Sequence, residues 1–353
     1  MTKNMQAAIA CSPWAPSQIN DQPKRILVMR HNCFGDLIAT FPYINSLRAQ
    51  LGSDVEIDLV VCDIYSHLAE HIGLFDNVIK LGGGFNTKKR FVFSLAKIPY
   101  LLLRNYDVVL DLQNNKISRI TRYLLGKKPY TEFDKYSPLP AGERYRKTIN
   151  AVGITPVELN TDYQARFLGN CNDLLTAHGW RGEKYVILNP AGAYENRNWP
   201  AENYIAFAKL WLKNINDATQ FVFLGHSERI GNAVNIVQQA LPNSVINLLD
   251  MTSETEAFEI VRKAEFMLSE DSGLMHMAWT TGVKTIAMLG STRADWTQPL
   301  GKQVDFFSSS DLSCGDCMQP TCERGDNYCM TRITPPMVLA KYTALTAAQT
   351  NGG

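Results

Sequence analysis

Asp271, Ser272, Gly273 and His276 stand together in residues 265–290, EFMLSEDSGLMHMAWTTGVKTIAMLG. Their types suit the binding of an anion. Asp and Ser cap a helix start, and Gly lets a ligand come close to the backbone. The N–H groups of Gly273, Leu274 and Met275 would then meet a phosphate or diphosphate at a helix N-terminus. His276, in the first turn of that helix, can face the same ligand. An ordinary capped helix is the competing reading, and this stretch alone does not separate the two.

Two other groups could do chemistry. Asp36 closes the loop HNCFGD after the apolar run RILVMR. A carboxylate there caps a helix, and at the carboxyl end of a first strand it can also act on a ligand. Cys314, Cys317, Cys322 and Cys329 have the spacing C-x₂-C-x₄-C-x₆-C. That spacing suits a tetrahedral structural Zn or Fe, and it equally suits reduced, metal-free thiols. Neither G-x-G-x-x-G nor a Walker A sequence is present.

These groups need elements to position them. Strands are expected at 25–30, 55–61, 77–81 and 107–112. Helices are expected at 37–51, 65–71, 91–103, 117–125 and 142–152. The triple glycine 82–84 reads as a flexible loop. Residues 153–170 read as an interdomain crossing. A second series then has strands at 185–189, 220–224, 245–248, 266–268 and 283–289, and helices at 200–212, 230–241, 254–263, 274–281 and 336–348. Such alternation implies parallel sheets covered by helices. The expected organisation is a loose tail over 1–23, a Rossmann-like domain over 24–165, another over 166–334 and a terminal helix and tail over 335–353.

The chain has 353 residues, 45% hydrophobic and 20% charged, with formal net charge +1. This is a globular balance for two ordinary domains. No apolar run is long enough to span a membrane. Residues 1–23 lack a basic stretch followed by an apolar core, so no secretory signal is expected and the chain reads as cytoplasmic. Residues 1–160 carry net +6 and the remainder net −5. Residues 85–130 alone carry net +8. That points to an anionic partner in the first half, or to a solvated basic face. Nucleic acid is not among the expected partners.

Four segments in order resemble glycosyltransferase family 9, whose best-known members are the ADP-heptose:lipopolysaccharide heptosyltransferases. They are FGDLIATFPYINSLR (34–48), NPAGAYENRNWPAENY (189–204), EDSGLMHMAWTTGVKTIAMLGSTRADWTQPLG (270–301) and the terminal cysteine run. The resemblance covers about 25–338. It implies an α/β GT-B fold, two Rossmann-like doubly wound domains facing across a cleft, with the nucleotide-sugar donor mainly on the second and the acceptor on the first. It implies inversion at the anomeric carbon with no cofactor required for catalysis. The absence of any Asp-x-Asp sequence agrees with that expectation.

Residue by residue, Asp36 matches the family base and His276 the family histidine. Asp271 would hold the turn at Ser272–Met275. Glu228 resembles the acidic residue that binds ribose hydroxyls. Arg197 stands where the family commonly has Lys and would bind the leaving diphosphate of the donor, a change that keeps the charge and alters its geometry. The resemblance implies ADP-heptose as donor and an anionic glycolipid acceptor. It also implies peripheral contact with the cytoplasmic face of the inner membrane. Lys88, Lys89, Arg90, Arg144 and Arg146 are the expected acceptor or membrane residues. Another donor sugar or a protein acceptor fits the same family. A sugar-nucleotide epimerase or a non-catalytic binding module are the readings from other classes.

Overall fold

A computed structural model describes residues 9–16, 22–163, 171–192 and 197–350. The chain divides into two compact units, Met1–Phe167 and Leu168–Gly353. The expected boundary at 165/166 lies outside the described residues.

The first unit holds β1 (Cys11–Ser12), β2 (Arg25–Met29), α1 (Phe34–Ile38), α2 (Phe41–Leu51), β3 (Glu56–Cys62), α3 (Ser66–His71), β4 (Asn77–Leu81), α4 (Thr87–Arg104), β5 (Val108–Asp111), α5 (Lys116–Leu124), β6 (Tyr130–Glu132) and α6 (Ala141–Asn150). Its six strands run β1-β6-β5-β2-β3-β4. All pairs are parallel except β1 on β6. Ile26 to Met29 and Val108 to Leu110 are fully buried, as strands covered on both faces require.

Three expectations change here. The tail is not loose throughout: Cys11 and Ser12 pair with Thr131 and Tyr130, and Trp14 N–H donates to Val152 O at 2.7 Å. Edge pairing of that kind needs only backbone groups, so no apolar run signals it. The helix expected at 37–51 is two helices. Thr40 Oγ1 donates to Leu37 O at 2.7 Å, and the chain restarts so that Pro42 falls in a first turn, where its missing N–H costs nothing. The helix expected at 91–103 starts at Thr87, capped by the Asn86 side chain accepting from Lys89 N–H at 3.0 Å. The glycine loop packs directly on that first turn. A Cβ on Gly83, whose φ is +103°, would sit 2.8 Å from Arg90 N.

The second unit holds α7 (Cys171–Ala177), β7 (Tyr185–Asn189), α8 (Ala201–Asn214), β8 (Gln220–Phe223), α9 (Ser227–Ala240), β9 (Val245–Asn247), α10 (Glu254–Lys263), β10 (Phe266–Glu270), α11 (Gly273–Thr280), β11 (Lys284–Met288), α12 (Ala294–Thr297), β12 (Val304–Phe307), α13 (Tyr328–Thr331) and α14 (Pro335–Thr350). The strand order is β12-β11-β10-β7-β8-β9, parallel throughout. Aromatic rings fill one face of the sheet. Trp211 stacks on Phe266 with centroids 5.4 Å apart, and Tyr342 of α14 lies 4.9 Å from Phe266. That packing ties the terminal helix to the sheet.

In both units the chain's first long strand lies between its second and its fourth. This is the Rossmann order, and it places a switch point between β2 and β5 and another between β7 and β10.

Candidate functional site

At the first switch point the loop after β2 carries Arg30, Asn32 and Cys33, and the first turn of α1 carries Asp36. Arg30 is buried, and its guanidinium makes an ion pair with Asp36. The Asp36 side chain stays 38% exposed while that of Arg30 is 5% exposed. Tyr145 of α6 donates its hydroxyl to Asp36 Oδ1 at 3.3 Å. The Arg30 guanidinium also lies 5.7 Å from the centre of the Tyr145 ring. Thus the carboxylate is held from beneath and is open above.

Gln113, in the loop after β5, holds this arrangement. Its Oε1 accepts from Arg30 Nη1, His31 N–H and Asn32 N–H, each at 2.9 Å. A neutral acceptor leaves the Arg30 charge to Asp36. The turn also bears strain. Cys33 has φ +64° without being glycine, a conformation that surrounding contacts must hold. His31 is fully buried, and burial followed by the Arg30 and Arg90 charges pushes its imidazole down to about 3. It is therefore neutral at physiological pH.

Arg90, in the basic stretch 85–130, and Arg144 on α6 are both buried and do not face solvent. Arg90 is 6% exposed and pairs with Asn32 Oδ1 and Gly84 O. The earlier start of α4 turns it inward, toward the Asp36 loop. Arg144 is 7% exposed, donates to Lys135 O at 3.1 Å and lies 5.1 Å over the Phe133 ring. Arg146 pairs with Glu143 and Glu158, which meets much of its charge locally. Lys88 and Lys89 are exposed on α4.

At the second switch point β10 ends in Glu270 and α11 begins after Ser272. Ser272 is the N-cap. Its Oγ accepts from Met275 N–H at 3.3 Å and from Asn189 Nδ2 at 2.7 Å. The Met275 N–H expected to meet a ligand is therefore already taken by the cap. Asp271 Oδ2 accepts from Arg197 Nη1 at 3.1 Å and from Thr292 Oγ1 at 2.8 Å, and Oδ1 accepts from Thr297 Oγ1 at 3.0 Å. Arg197 is buried, and its Nε donates to Ser291 Oγ at 3.1 Å. Asp271 thus meets the charge of Arg197.

Glu270 is fully buried. It accepts from Gly192 N–H and Trp199 N–H, each at 2.6 Å, and from the Tyr204 hydroxyl at 3.1 Å. Burial outweighs these donors and pushes the carboxyl up to about 8. Gly192 is needed where it stands, because a Cβ there would lie 2.8 Å from Asn198 Oδ1. Residues 193–196, within the expected 189–204 segment, lie outside the described residues.

Glu228 sits exposed in the first turn of α9. Asp250, from the loop after β9, accepts from Ser227 N–H at 3.2 Å and from His226 Nδ1 at 3.2 Å, which closes that helix start from outside. Cys314 and Cys317 are exposed, and Cys322 and Cys329 are half-buried. Burial raises the Cys329 thiol, followed by the charges of Cys322 and Cys317, so these residues are neighbours. Among the described residues, however, no three or more His, Cys, Asp or Glu side chains are grouped so that they could hold a metal. The Zn or Fe reading of the cluster is accordingly not supported.

Sequence reasoning missed Arg30, Gln113, Tyr145 and Glu270. Arg30 and Glu270 had a signal, a charged residue closing a buried apolar strand. Gln113 and Tyr145 had none, because their partners are 82 and 109 positions away in the chain.

Two Rossmann-order sheets, each with polar groups gathered at its switch point, define the GT-B class of α/β fold. The solved glycosyl transferase family 9 structure from Veillonella parvula matches with TM-score 0.74 at 17% identity, covering 91% of this chain and 97% of that one. The Escherichia coli ADP-heptose LPS heptosyltransferase II matches with TM-score 0.68 at 19% identity, covering 92% and 99%. The model of glycosyltransferase family 9 (heptosyltransferase) matches residues 140–327, more than half of the chain, and the chain belongs to that family. Lipooligosaccharide heptosyltransferase 2 of Campylobacter jejuni is 27% identical over 168 residues, 46% of this chain and 52% of the relative. The match spans about half the length of the first curated relatives.

Proposed function

We propose that this chain is an inverting, metal-independent glycosyltransferase that moves a heptose from ADP-heptose to the lipopolysaccharide inner core or a similar acceptor. The observation that carries the reading is the Asp36 carboxylate, open to solvent and held from beneath by buried Arg30, in a chain of family 9. Asp36 takes the proton of an acceptor hydroxyl. That oxygen forms a bond to the anomeric carbon while the bond from the carbon to the diphosphate oxygen breaks, so the configuration inverts. General-base assistance of this kind is worth about 10²–10⁴-fold.

The diphosphate leaves with its negative charge and needs donors in place of a metal. Gly273 and Leu274 N–H, the α11 dipole and His276 supply them. Glu228 binds the ribose hydroxyls from the start of α9. Arg197 acts through its pair with Asp271, holding the turn. Metal independence is supported by the lack of Asp-x-Asp in the sequence. The donor and acceptor classes are supported by the E. coli relative, described as an ADP-heptose LPS heptosyltransferase.

The acceptor side is the first unit, with Arg90 beside the Asp36 loop. Lys88 and Lys89 lie close in sequence to exposed Phe85, just before α4, and to Val92 and Phe93 on it, which suits reversible contact with an anionic surface at the cytoplasmic face of the inner membrane. No helix among the described residues is long and apolar enough to cross a membrane. Binding to anionic liposomes is expected to fall as salt rises and to weaken in Lys88→Ser/Lys89→Ser. Equal binding to neutral liposomes removes this contact.

The deciding experiment incubates the protein with ADP-heptose and a lipid A–Kdo acceptor, with UDP- and GDP-sugars as competing donors. The expected result is ADP release and an extended lipid, both surviving EDTA. Epimer formation, or binding without turnover, returns the chain to the epimerase or binding-module reading. Loss in EDTA with rescue by Mg²⁺ overturns metal independence.

A further inference from the structure

His276 and Trp279 are three residues apart on α11, where side chains share a face. The Trp279 ring is 2% exposed, and its Nε1 lies 2.9 Å from His276 Nδ1. An indole nitrogen can only donate, so His276 Nδ1 must accept. A neutral imidazole that accepts at Nδ1 carries its proton on Nε2. On the other side of the ring, Nε2 lies 3.5 Å from Thr297 Oγ1. The Thr297 hydroxyl in turn donates to Asp271 Oδ1 at 3.0 Å, and Asp271 holds Arg197. Read from the buried end, the donors point one way: indole to imidazole, imidazole toward hydroxyl, hydroxyl to carboxylate.

We infer that Trp279 is a positioning residue: its buried indole N–H fixes His276 in the Nε2–H tautomer, so the ring offers a donor to the turn at Asp271–Gly273. An acceptor at that point would repel a phosphate oxygen, and a donor stabilises it. The inference deepens the proposed function and rests on it for the identity of the anion. A diphosphate or sugar oxygen that accepts the Nε2–H competes for it with Thr297 Oγ1, 3.5 Å away.

Nitrogen-15 NMR on the intact wild-type protein tests the hydrogen bond without any turnover. The His276 signals are assigned by their loss in His276→Gln. The expected result is an unprotonated Nδ1, a protonated Nε2, and a coupling across the hydrogen bond between Trp279 Nε1 and His276 Nδ1. A proton on Nδ1, or no such coupling, overturns the inference whether or not the chain transfers heptose. The kinetic arm uses the same donor and acceptor as above. Trp279→Phe should lower kcat about three- to tenfold and leave the donor KM within about twofold. His276→Gln, which can keep a donor near the Nε2 position, should retain more kcat than His276→Asn. Equal losses in those two variants also overturn it. An intact NMR signature with no transfer instead counts against the heptosyltransferase reading and leaves the tautomer assignment standing.

Discussion

The two switch points use the same pair of residue types to opposite ends. In the first unit buried Arg30 meets Asp36, and the carboxylate is 38% exposed. In the second, buried Arg197 meets Asp271, whose side chain is 14% exposed and accepts from two threonine hydroxyls as well. Asp271 accepts three hydrogen bonds and works as a clamp, where Asp36 accepts from Arg30 and Tyr145. Asp36 keeps room for a proton from outside. An arginine–aspartate pair therefore says little about chemistry until the remaining donors are counted.

The side chains that hold the two switch points also differ. Gln113 bridges the loops in the first unit as a neutral acceptor. Glu270 does so in the second as a buried acid. Only the second can take up or lose a proton.

The largest expected contrast is between the two aspartates. Asp36→Asn should lower kcat about 10²–10⁴-fold and leave ADP affinity near wild type, with a fall in Tm because buried Arg30 loses its counter-charge. Asp271→Asn should lower Tm and weaken ADP binding as well. Activity measured beside ADP-binding calorimetry separates them, and an inactive Asp271→Asn that binds ADP like wild type would erase the distinction between base and clamp.

Next in size is Glu270→Ala, which leaves the Gly192 and Trp199 N–H groups without their acceptor and should cost about 3–5 kcal/mol in urea unfolding. Gln113→Ala should cost less, about 1–3 kcal/mol, because Arg30 keeps its Asp36 partner and Asn32 is only half-buried. A reversed order would mean that the first switch point is the more rigid.

The smallest effect is the pH dependence that Glu270 adds in the second unit, beside those of His31 and Asp111 in the first. Glu270 is raised from an ordinary 4.5 to about 8, so between those values the folded chain binds the proton that the unfolded chain has lost. Its contribution to stability should be full below pH 4.5, decline as pH rises toward 8 and then level off. Glu270→Gln should flatten that slope, and Gln113→Ala should leave it unchanged. Urea midpoints across this range check both. A slope unchanged in Glu270→Gln assigns it to other groups, such as His31 and Asp111.

Much of the fold was legible in the chain itself. Apolar runs such as ILVM at 26–29 make buried strands because both faces are covered. Ser272 starts α11 and Ser253 starts α10 through contacts three residues away, which local sequence encodes. The separation of His276 and Trp279 could likewise be read as one helix face. Short strands such as β1, β6 and β12 were not legible, since few residues and backbone pairing alone define them.

Periodicity also could not say that Arg90 turns inward to Asn32, or that Gln113 reaches the loop after β2. Those contacts exist because the sheet order sets β2 beside β5 and packs α4 against the glycine loop. The sequence by itself determined which residues could carry a charge, accept a proton or cap a helix, because those are properties of the residue and its near neighbours. Only the tertiary structure decided that Asp36 stays open while Asp271 is filled. That depends on donors brought in from distant segments, and how many arrive at each carboxylate is a matter of packing.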